Sequence, residues 1–235
     1  MSGGVDRLLI NLDAHFDRTL GSRQVECMIV AHEKMAQIFH DRPITFKAQN
    51  IETGAEWELY NGIGSIRWAA PEITFSDRLE IFWDINPMIL EAHPGPATGA
   101  IWVTLPVEKV LFLGDAVVPD APPFLASADL PAWKETLALI SSPEYKNFTL
   151  VSGRGGLITH DQVKDQLHFL EKVEHQLEKL NEKSDAAEIE KSIASLLKSF
   201  SIPDDKVAHY SLRLRWGLTH YISRHSHPAQ DVVEE

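Results

Sequence analysis

Three polar side chains near the start of the chain could together bind a cation. Asp13, His15 and Asp17 alternate after the short apolar run Leu8–Leu12, and alternation places all three on one side of an extended segment. Carboxylate and imidazole groups are ligands that zinc, manganese and iron accept. The same groups could instead form a hydrogen-bonded turn that holds no ion, so the spacing alone leaves both interpretations open.

A further carboxylate stands at the end of a second apolar run. Leu111–Leu113 is followed by Gly114 and Asp115, and residues at the carboxyl ends of strands commonly form the sites of α/β proteins. A turn that contains Pro96 precedes this run, and the glycine-rich segment Ser152–Gly156 follows it. These segments could converge on the same site as the first motif.

In order and spacing the segments resemble the metallo-beta-lactamase superfamily of binuclear zinc hydrolases. In that family a strand leads into T-H-x-H-x-D-H, and P-G-H-T-x-G, F-x-G-D and P-G-H-G follow along the chain. The resemblance runs from about Leu8 to Leu180, and its most specific stretch is Glu108–Val117. It implies an α+β (α/β) fold, a metallo-beta-lactamase-like αββα sandwich. The N-terminal half of that sandwich would be incomplete, because the motif begins so close to Met1.

The resemblance assigns seven metal-binding positions, and the chain keeps the family's residue type at three of them, His15, Asp17 and Asp115. Asp13 replaces the first histidine and could still offer an oxygen ligand. The other histidine positions hold residues that have no lone pair for zinc, namely Arg18, Pro96 and Arg154. The comparison therefore implies a degenerate binuclear site.

The two arginines fall in the second metal subsite of the family. That subsite is built from the positions of Asp17, Arg18, Asp115 and Arg154. Buried carboxylates without a counter-charge are costly, and a guanidinium can pair with them through two hydrogen bonds. We therefore predict that the two arginines occupy the space of the second metal and neutralise the two carboxylates.

The first subsite would consist of Asp13, His15 and Asp115. This weak or vestigial set would hold either no metal or one divalent ion of zinc, manganese or iron. His93, three residues before Pro96, could replace the missing nitrogen ligand, although a solvated histidine at a strand end is the simpler interpretation. The nearby arginines would repel a divalent ion, which favours an empty or anion-holding pocket.

Three functions remain open from the sequence. The leading prediction is a pseudoenzyme, a non-catalytic binding or assembly module that has lost the hydrolase site. The first alternative is a metal-dependent hydrolase with an altered mononuclear site, in which the catalytic residue Asp17 positions or deprotonates a water. The second is a sensor whose small anionic ligand is held by Arg18 and Arg154.

The elements that must position these residues change in type along the chain. Up to about residue 158, apolar runs of strand length alternate with turns and with two helical patterns, Val25–Phe39 and Leu130–Ile140. Only helical stripes follow. Thr159 and Gln162 form a capping box at the first of these helices, and Ser184 can cap a later one.

The predicted organisation is a single domain with an appendage. We expect a metallo-beta-lactamase-like domain over residues 1–180 and a C-terminal all-helical extension over residues 181–235. Because the family places strands before the first motif that are missing here, one sheet edge would be uncovered. An open edge invites pairing with another chain, so we expect a homodimer.

The composition excludes several classes of function. The chain has 235 residues, and its 34 acidic against 22 basic side chains give a net charge of −12, which argues against binding to nucleic acid or to a membrane surface. No apolar run approaches the roughly 20 residues of a membrane span. Cys27 is the only cysteine, so an internal disulfide is excluded. These features predict a cytoplasmic protein.

Overall fold

Two β-sheets form the centre of the part of the molecule that the structure describes. The computed structural model describes residues 7–41, 53–59, 69–82 and 84–226. The smaller sheet is parallel and runs in the order β1 (Leu8–Ile10), β2 (Met28–His32), β3 (Ile73–Phe75). The larger sheet follows chain order through β4 (Arg78–Phe82), β5 (Pro87–Ala92), β6 (Ile101–Leu105), β7 (Val110–Gly114), β8 (Thr149–Ser152) and β9 (Gly156–Ile158). Its neighbouring strands are antiparallel except for β7 and β8, which are parallel.

Helices cover both outer faces of the two sheets. In the described part of the chain these are α1 (Phe16–Thr19), α2 (Glu33–Asp41), α3 (Leu130–Ile140), α4 (His160–Leu177), α5 (Ala186–Leu197) and α6 (Asp204–Ser226). The helix α3 begins at the N-cap Asp129, and α4 begins with the expected capping box of Thr159 and Gln162. Caps of this kind satisfy N–H groups that have no partner inside the helix.

Among the described residues, the alternation of side chains along the strands separates three apolar clusters. Val30 and Ile101 pack between the two sheets. On the outer face of the small sheet, Ala31 packs against Met35 of α2. On the outer face of the large sheet, Trp102 belongs to a cluster that includes buried residues of α3, α4, α5 and α6. The layers are therefore α2, small sheet, large sheet and long helices.

This arrangement confirms the expected α+β sandwich with a helical C-terminal region. The last two helices bury Leu196 and Leu218 in the same cluster as Trp102, so they share a core with the large sheet. The domain boundary after residue 180 stays a prediction. Among the described residues, none of the helices combines the length and the apolar composition that crossing a membrane requires.

Two sequence-based expectations about local structure are wrong. The helix predicted over Val25–Phe39 is a strand over Met28–His32, followed by α2. This strand lies between β1 and β3 and is buried on both faces after its first residue, so its apolar run matches a helix as well as a strand. The N-cap of α5 is Asp185, whose side chain accepts a hydrogen bond from the Glu188 N–H, and not Ser184.

Candidate functional site

Asp13 and His15 lie on a segment that hydrogen bonds hold against the large sheet. The Ile101 N–H donates to the Leu12 carbonyl over 2.8 Å. The His15 N–H donates to Asp13 Oδ1 over 2.9 Å, and the Thr19 hydroxyl donates to the His15 carbonyl over 3.0 Å. Hydrogen bonds before and after Asp13 and His15 therefore fix the conformation of this turn, and with it the positions of the two side chains.

Asp115 is held at the carboxyl end of β7 by a close approach of two backbones. Gly114 has a φ of +56°, a conformation that favours glycine, and a Cβ there would lie 3.1 Å from Leu12 Cβ. The Trp133 indole N–H of α3 donates to the Ala116 carbonyl over 2.9 Å. Helix packing thereby fixes the loop that carries the carboxylate.

Arg154 reaches the site from the turn between β8 and β9. The Gly153 N–H donates to the Gly114 carbonyl over 2.6 Å, which brings this turn to the end of β7. A Cβ at Gly153 would lie only 2.6 Å from Asp115 Oδ1. The Arg154 N–H donates to Ser152 Oγ over 3.2 Å. This backbone position places the Arg154 guanidinium next to the Asp115 carboxylate.

Asp13, His15 and Asp115 come together as a group that could hold a metal ion. Each offers one ligand atom, and these atoms all lie within 4.8 Å of one another. His15 Nδ1 is 3.1 Å from Asp13 Oδ2 and 3.2 Å from Asp115 Oδ2, yet it makes no hydrogen bond of good geometry to any described residue. Three donor atoms this close to one another could hold one divalent ion of the kind the first subsite would bind.

The electrostatics of this group favour a proton on His15 when no ion is bound. Burial by itself would lower the pKa of His15, but the negative charges of Asp13 and Asp115 outweigh it and raise that pKa to about 10. Burial would raise the pKa of Asp13, but the charge of His15 and the hydrogen bond from its backbone N–H hold that pKa below its usual value. A proton on the imidazole can therefore provide the positive charge that the buried carboxylates need.

The guanidinium of Arg154 binds three carboxylates at once. Its Nε donates to Asp115 Oδ2 over 2.5 Å, and its two terminal nitrogens donate to Asp17 over 2.6 and 3.1 Å. Nη1 also donates to Glu56 Oε2 over 2.9 Å, and the arginine side chain is only 8% exposed. Burial would raise the pKa of Asp17, but the hydrogen bonds and charge of Arg154 lower it overall.

The other predicted site residues lie at the margin of this centre. Arg18 is 38% exposed, and its Nε is 3.8 Å from Asp115 Oδ1, beyond the range of a hydrogen bond. Pro96 lines the cavity in front of the centre. His93 stacks on Trp102 with 3.8 Å between ring centroids and is not part of the metal-capable group.

Sequence reasoning missed two charged residues that complete the ion-pair network. The Glu56 carboxylate accepts hydrogen bonds from Arg154 and, over 2.5 Å, from Arg213 of α6. Arg213 is 1% exposed and also donates to the carbonyls of Gly54 and Pro122 over 2.8 and 3.1 Å. The one available signal was a charge within the apolar face of the last helix. No motif links these positions.

An aromatic ring lies against the cationic groups of the network. The centroid of Phe124 is 4.4 Å from the Arg213 guanidinium carbon and 5.2 Å from that of Arg154. The His15 ring centroid is 5.1 Å away from it. Cations over an aromatic face are attracted by its negative potential, so Phe124 helps to hold these side chains in place.

A cavity of about 520 Å³ opens directly in front of His15 and Asp17. Its walls are mainly apolar, with side chains from Phe16, Ile38, Trp57, Pro96, Phe124 and Trp216 among its lining residues. Its size lies within the range typical of sites for small molecules. His15 of the metal-capable group and Asp17, which pairs with Arg154, therefore line a cavity that a ligand could enter.

The two metal subsites that the family resemblance implies differ in how well their residues could coordinate a metal ion. Asp13, His15 and Asp115 supply oxygen and nitrogen donors for one ion. At the second subsite the Arg154 guanidinium already binds the two carboxylates, Asp17 and Asp115. A cationic side chain in hydrogen-bond contact with both leaves no coordination set for a second cation.

Comparison with known proteins identifies one family. The family model described as "Metallo-beta-lactamase superfamily" matches residues 15–175, which is more than half of the chain. The match begins at His15 and ends within α4. No curated protein sequence matches significantly.

Solved structures of low sequence identity share the fold. A metallo-beta-lactamase from Pontibacter korlensis is 17% identical, with a TM-score of 0.52 over 70% of this chain and 69% of that one. A metallo-beta-lactamase family protein from Thermus thermophilus is 14% identical, with a TM-score of 0.60 over 94% and 75%. A beta-lactamase domain protein from Burkholderia ambifaria is 11% identical, with a TM-score of 0.62 over 96% and 71%. At these identities the likeness establishes the fold alone.

Proposed function

Because the chain belongs to the metallo-beta-lactamase superfamily but carries an arginine between two of its site carboxylates, we propose that it is a non-catalytic binding protein. The observation that carries this proposal is the position of Arg154, whose guanidinium binds Asp17 and Asp115 together. In this proposal the guanidinium replaces the second metal ion, and the cavity above it binds a ligand without turnover.

The balance of charge supports a centre that is complete without a second ion. The buried carboxylates of Asp115 and Asp17 are paired with Arg154, and Asp13 faces the imidazole of His15. Glu56 ties the same arginine to α6. Admitting a second cation would require breaking charge-assisted hydrogen bonds in a buried site, which are stronger than neutral ones.

Metal analysis of protein purified without chelator tests this proposal. After incubation with zinc and desalting, the wild type should hold no more than about one equivalent. The double variant Arg18→His and Arg154→His restores imidazoles at both positions of the second subsite and should gain about one further equivalent. Arg215→His, which alters an exposed arginine paired with Glu190, is the control and should gain none.

Two outcomes would contradict the proposal. One is a wild-type protein that holds two metal ions, because a second ion could not occupy its subsite while Arg154 keeps its contacts with Asp17 and Asp115. The other is metal-dependent turnover by the wild type of a thioester, lactone, lactam or phosphodiester. Failure of the double histidine variant to bind a second ion would count against the assignment of the two arginines to that subsite.

A hydrolase with one metal ion is the second candidate, favoured by the geometry of the first subsite. Asp13, His15 and Asp115 would hold the ion, and a bound divalent ion would supply Lewis acidity to a water. Asp17 would position that water. Both of its oxygens accept hydrogen bonds from Arg154, and its lowered pKa makes it a weak base. Its role would therefore be orientation.

The same purification separates the two candidates. About one equivalent of zinc, manganese or iron, with an activity that Asp13→Asn and Asp17→Asn each reduce at least about 100-fold, would favour the hydrolase. A protein that holds no metal and hydrolyses no thioester, lactone, lactam or phosphodiester would favour the non-catalytic binding function. One bound metal without activity would leave a binding protein with a structural ion at the first subsite.

A further inference from the structure

On the premise of the proposed binding function, the residues that line the cavity restrict the chemical class of its ligand. Aromatic residues come from four separate parts of the chain: Phe16 on α1, Trp57 in the segment 53–59, Phe124 after β7, and Trp216 on α6. The Phe16 and Trp57 rings pack with their centroids 6.0 Å apart. Aromatic walls of this kind bury large apolar surfaces of a ligand.

The cations next to the cavity are already paired. Arg154 donates four hydrogen bonds to carboxylates, and Arg213 donates to Glu56 and to two backbone carbonyls. Arg18 lines a neighbouring groove together with Lys206 and does not line this cavity. Among the described residues, the cavity therefore has no unpaired arginine or lysine to bind an anion.

The polar groups that do face the cavity are few. Asp17 contributes a carboxylate whose charge is already paired with Arg154. Thr98 and Ser127 are further polar residues of the lining, as is Thr53, whose hydroxyl donates to Glu58. His15 turns its Nδ1 towards the carboxylates, so Nε2 is the ring nitrogen that can reach a ligand. A ligand could therefore make a hydrogen bond at the floor of the cavity and apolar contacts elsewhere.

We propose that the cavity binds an uncharged, largely aromatic small molecule whose polar group faces His15. The aromatic walls, the ion pairs of Arg154 and Arg213 and the volume of about 520 Å³ all favour such a ligand over the small anion that the sequence suggested. A few polar groups within an apolar pocket fix the orientation of a ligand, while the walls provide most of its burial.

A matched pair of fluorescent probes tests the proposal. N-phenyl-1-naphthylamine is neutral, and 8-anilinonaphthalene-1-sulfonate adds a sulfonate to the same aromatic framework. The neutral probe should bind saturably, with a Kd at least about tenfold lower than that of the sulfonate. Absence of saturable binding, or equal or tighter binding of the sulfonate, would overturn the proposal.

Two variants and a control locate the binding to this cavity. Ala126→Trp places a large ring in the lining, and Thr98→Trp does so at an exposed position of the same lining. Each should raise the Kd of the neutral probe at least about tenfold. Ala121→Trp makes the same change in the neighbouring groove and should leave the Kd unchanged. A folded Thr98→Trp variant, checked by circular dichroism, that binds as the wild type does would also overturn the proposal.

The probe experiment can refute the ligand class without refuting the proposed function, and the metal analysis can do the reverse. A protein that holds two metal ions and binds the neutral probe would refute the non-catalytic centre and leave the ligand class intact. A protein without metal or activity that binds neither probe would refute the ligand class alone.

Discussion

The carboxylate of Asp17 and the guanidinium of Arg154 meet in a two-pronged ion pair, with Nη1–Oδ2 at 2.6 Å and Nη2–Oδ1 at 3.1 Å. The two residues are 137 positions apart in the chain. One lies on the short helix after β1, and the other lies on the turn between β8 and β9. Their pairing joins the smaller sheet's loop to the far end of the larger sheet.

Removing this arginine should destabilise the protein strongly. Arg154→Met removes the guanidinium that pairs with the buried Asp115 and the largely buried Asp17, and breaking a buried pair in this way costs about 3–5 kcal/mol of the free energy of unfolding. Urea denaturation followed by tryptophan fluorescence measures the loss. Arg18→Met alters an exposed arginine 3.8 Å from the same site and should change stability by about 0.5 kcal/mol at most. Similar losses in both variants would contradict the assignment of Arg154 as the counter-charge of Asp17 and Asp115.

The link from Glu56 to Arg213 should show energetic coupling. In a double-mutant cycle of Glu56→Gln and Arg213→Met, we expect a coupling of about 0.5–3 kcal/mol, because Arg213 is buried and Glu56 also binds Arg154. The exposed pair Glu190 and Arg215 is the control and should show about 0.2–1 kcal/mol. Coupling no larger than in the control would mean that the network ends at Arg154.

A methyl group at Gly153 should disturb the centre. Its Cβ would lie 2.6 Å from Asp115 Oδ1 and 3.1 Å from the Gly114 backbone, so Gly153→Ala must shift the carboxylate or the turn. We expect a loss of about 1–3 kcal/mol, measured by urea denaturation. Gly21→Ala is the control, since a Cβ there meets no atom within 4 Å. An unaffected Gly153→Ala variant would show that the turn can move freely.

His93 should make the stability of the protein fall at acidic pH. Burial lowers its pKa from 6.5 to about 4, so the unfolded chain binds a proton in this window while the folded chain does not. The stabilisation from the neutral ring is therefore complete above pH 6.5 and is lost as the pH falls towards 4. His93→Phe keeps a ring against Trp102 but cannot titrate.

The measurement is the difference in unfolding free energy between wild type and His93→Phe across that range of pH. Relative to the variant, the wild type should lose up to about 1.4 kcal/mol per pH unit. A difference that stays constant from pH 6.5 to 4 would show that the ring is solvated. Acid titration of carboxylates affects both proteins and cancels in the comparison.

The homodimer expected from the sequence stays a prediction, and the outer strands described for the large sheet are the places where it can be tested. In the large sheet β4 and β9 are the outer strands, and both carry exposed apolar side chains, Phe82 (66% exposed) and Leu157 (75% exposed). Light scattering at micromolar concentration should give the mass of a dimer. Either Phe82→Lys or Leu157→Lys, whichever lies at the paired edge, should then give a monomer. A monomeric wild type would contradict the prediction.

Local sequence patterns were sufficient for the elements with strong periodicity or strong caps. The helix Leu130–Ile140 and the capping box of Thr159 and Gln162 lie where the sequence predicted them. The pattern failed over Val25–Phe39, because a strand buried on both faces has no alternation that would distinguish it from a helix. In the structure Met28–His32 pairs with β1 on one side and with β3 on the other, contacts that its own pattern does not reveal.

The sequence by itself determined the family, and it named three residues, Asp13, His15 and Asp115, that the structure brings together as a group that could hold a metal ion. The apolar runs before Asp13, His15 and Asp115, and the order of the motifs, contain that information because it is local. Only the tertiary structure decided which arginine joins the centre. Arg154 pairs with the carboxylates while Arg18 stays at the margin, and Arg213 enters through Glu56 from 157 positions away. Ion pairs between distant segments depend on where the chain packs, and no spacing along the sequence encodes that distance.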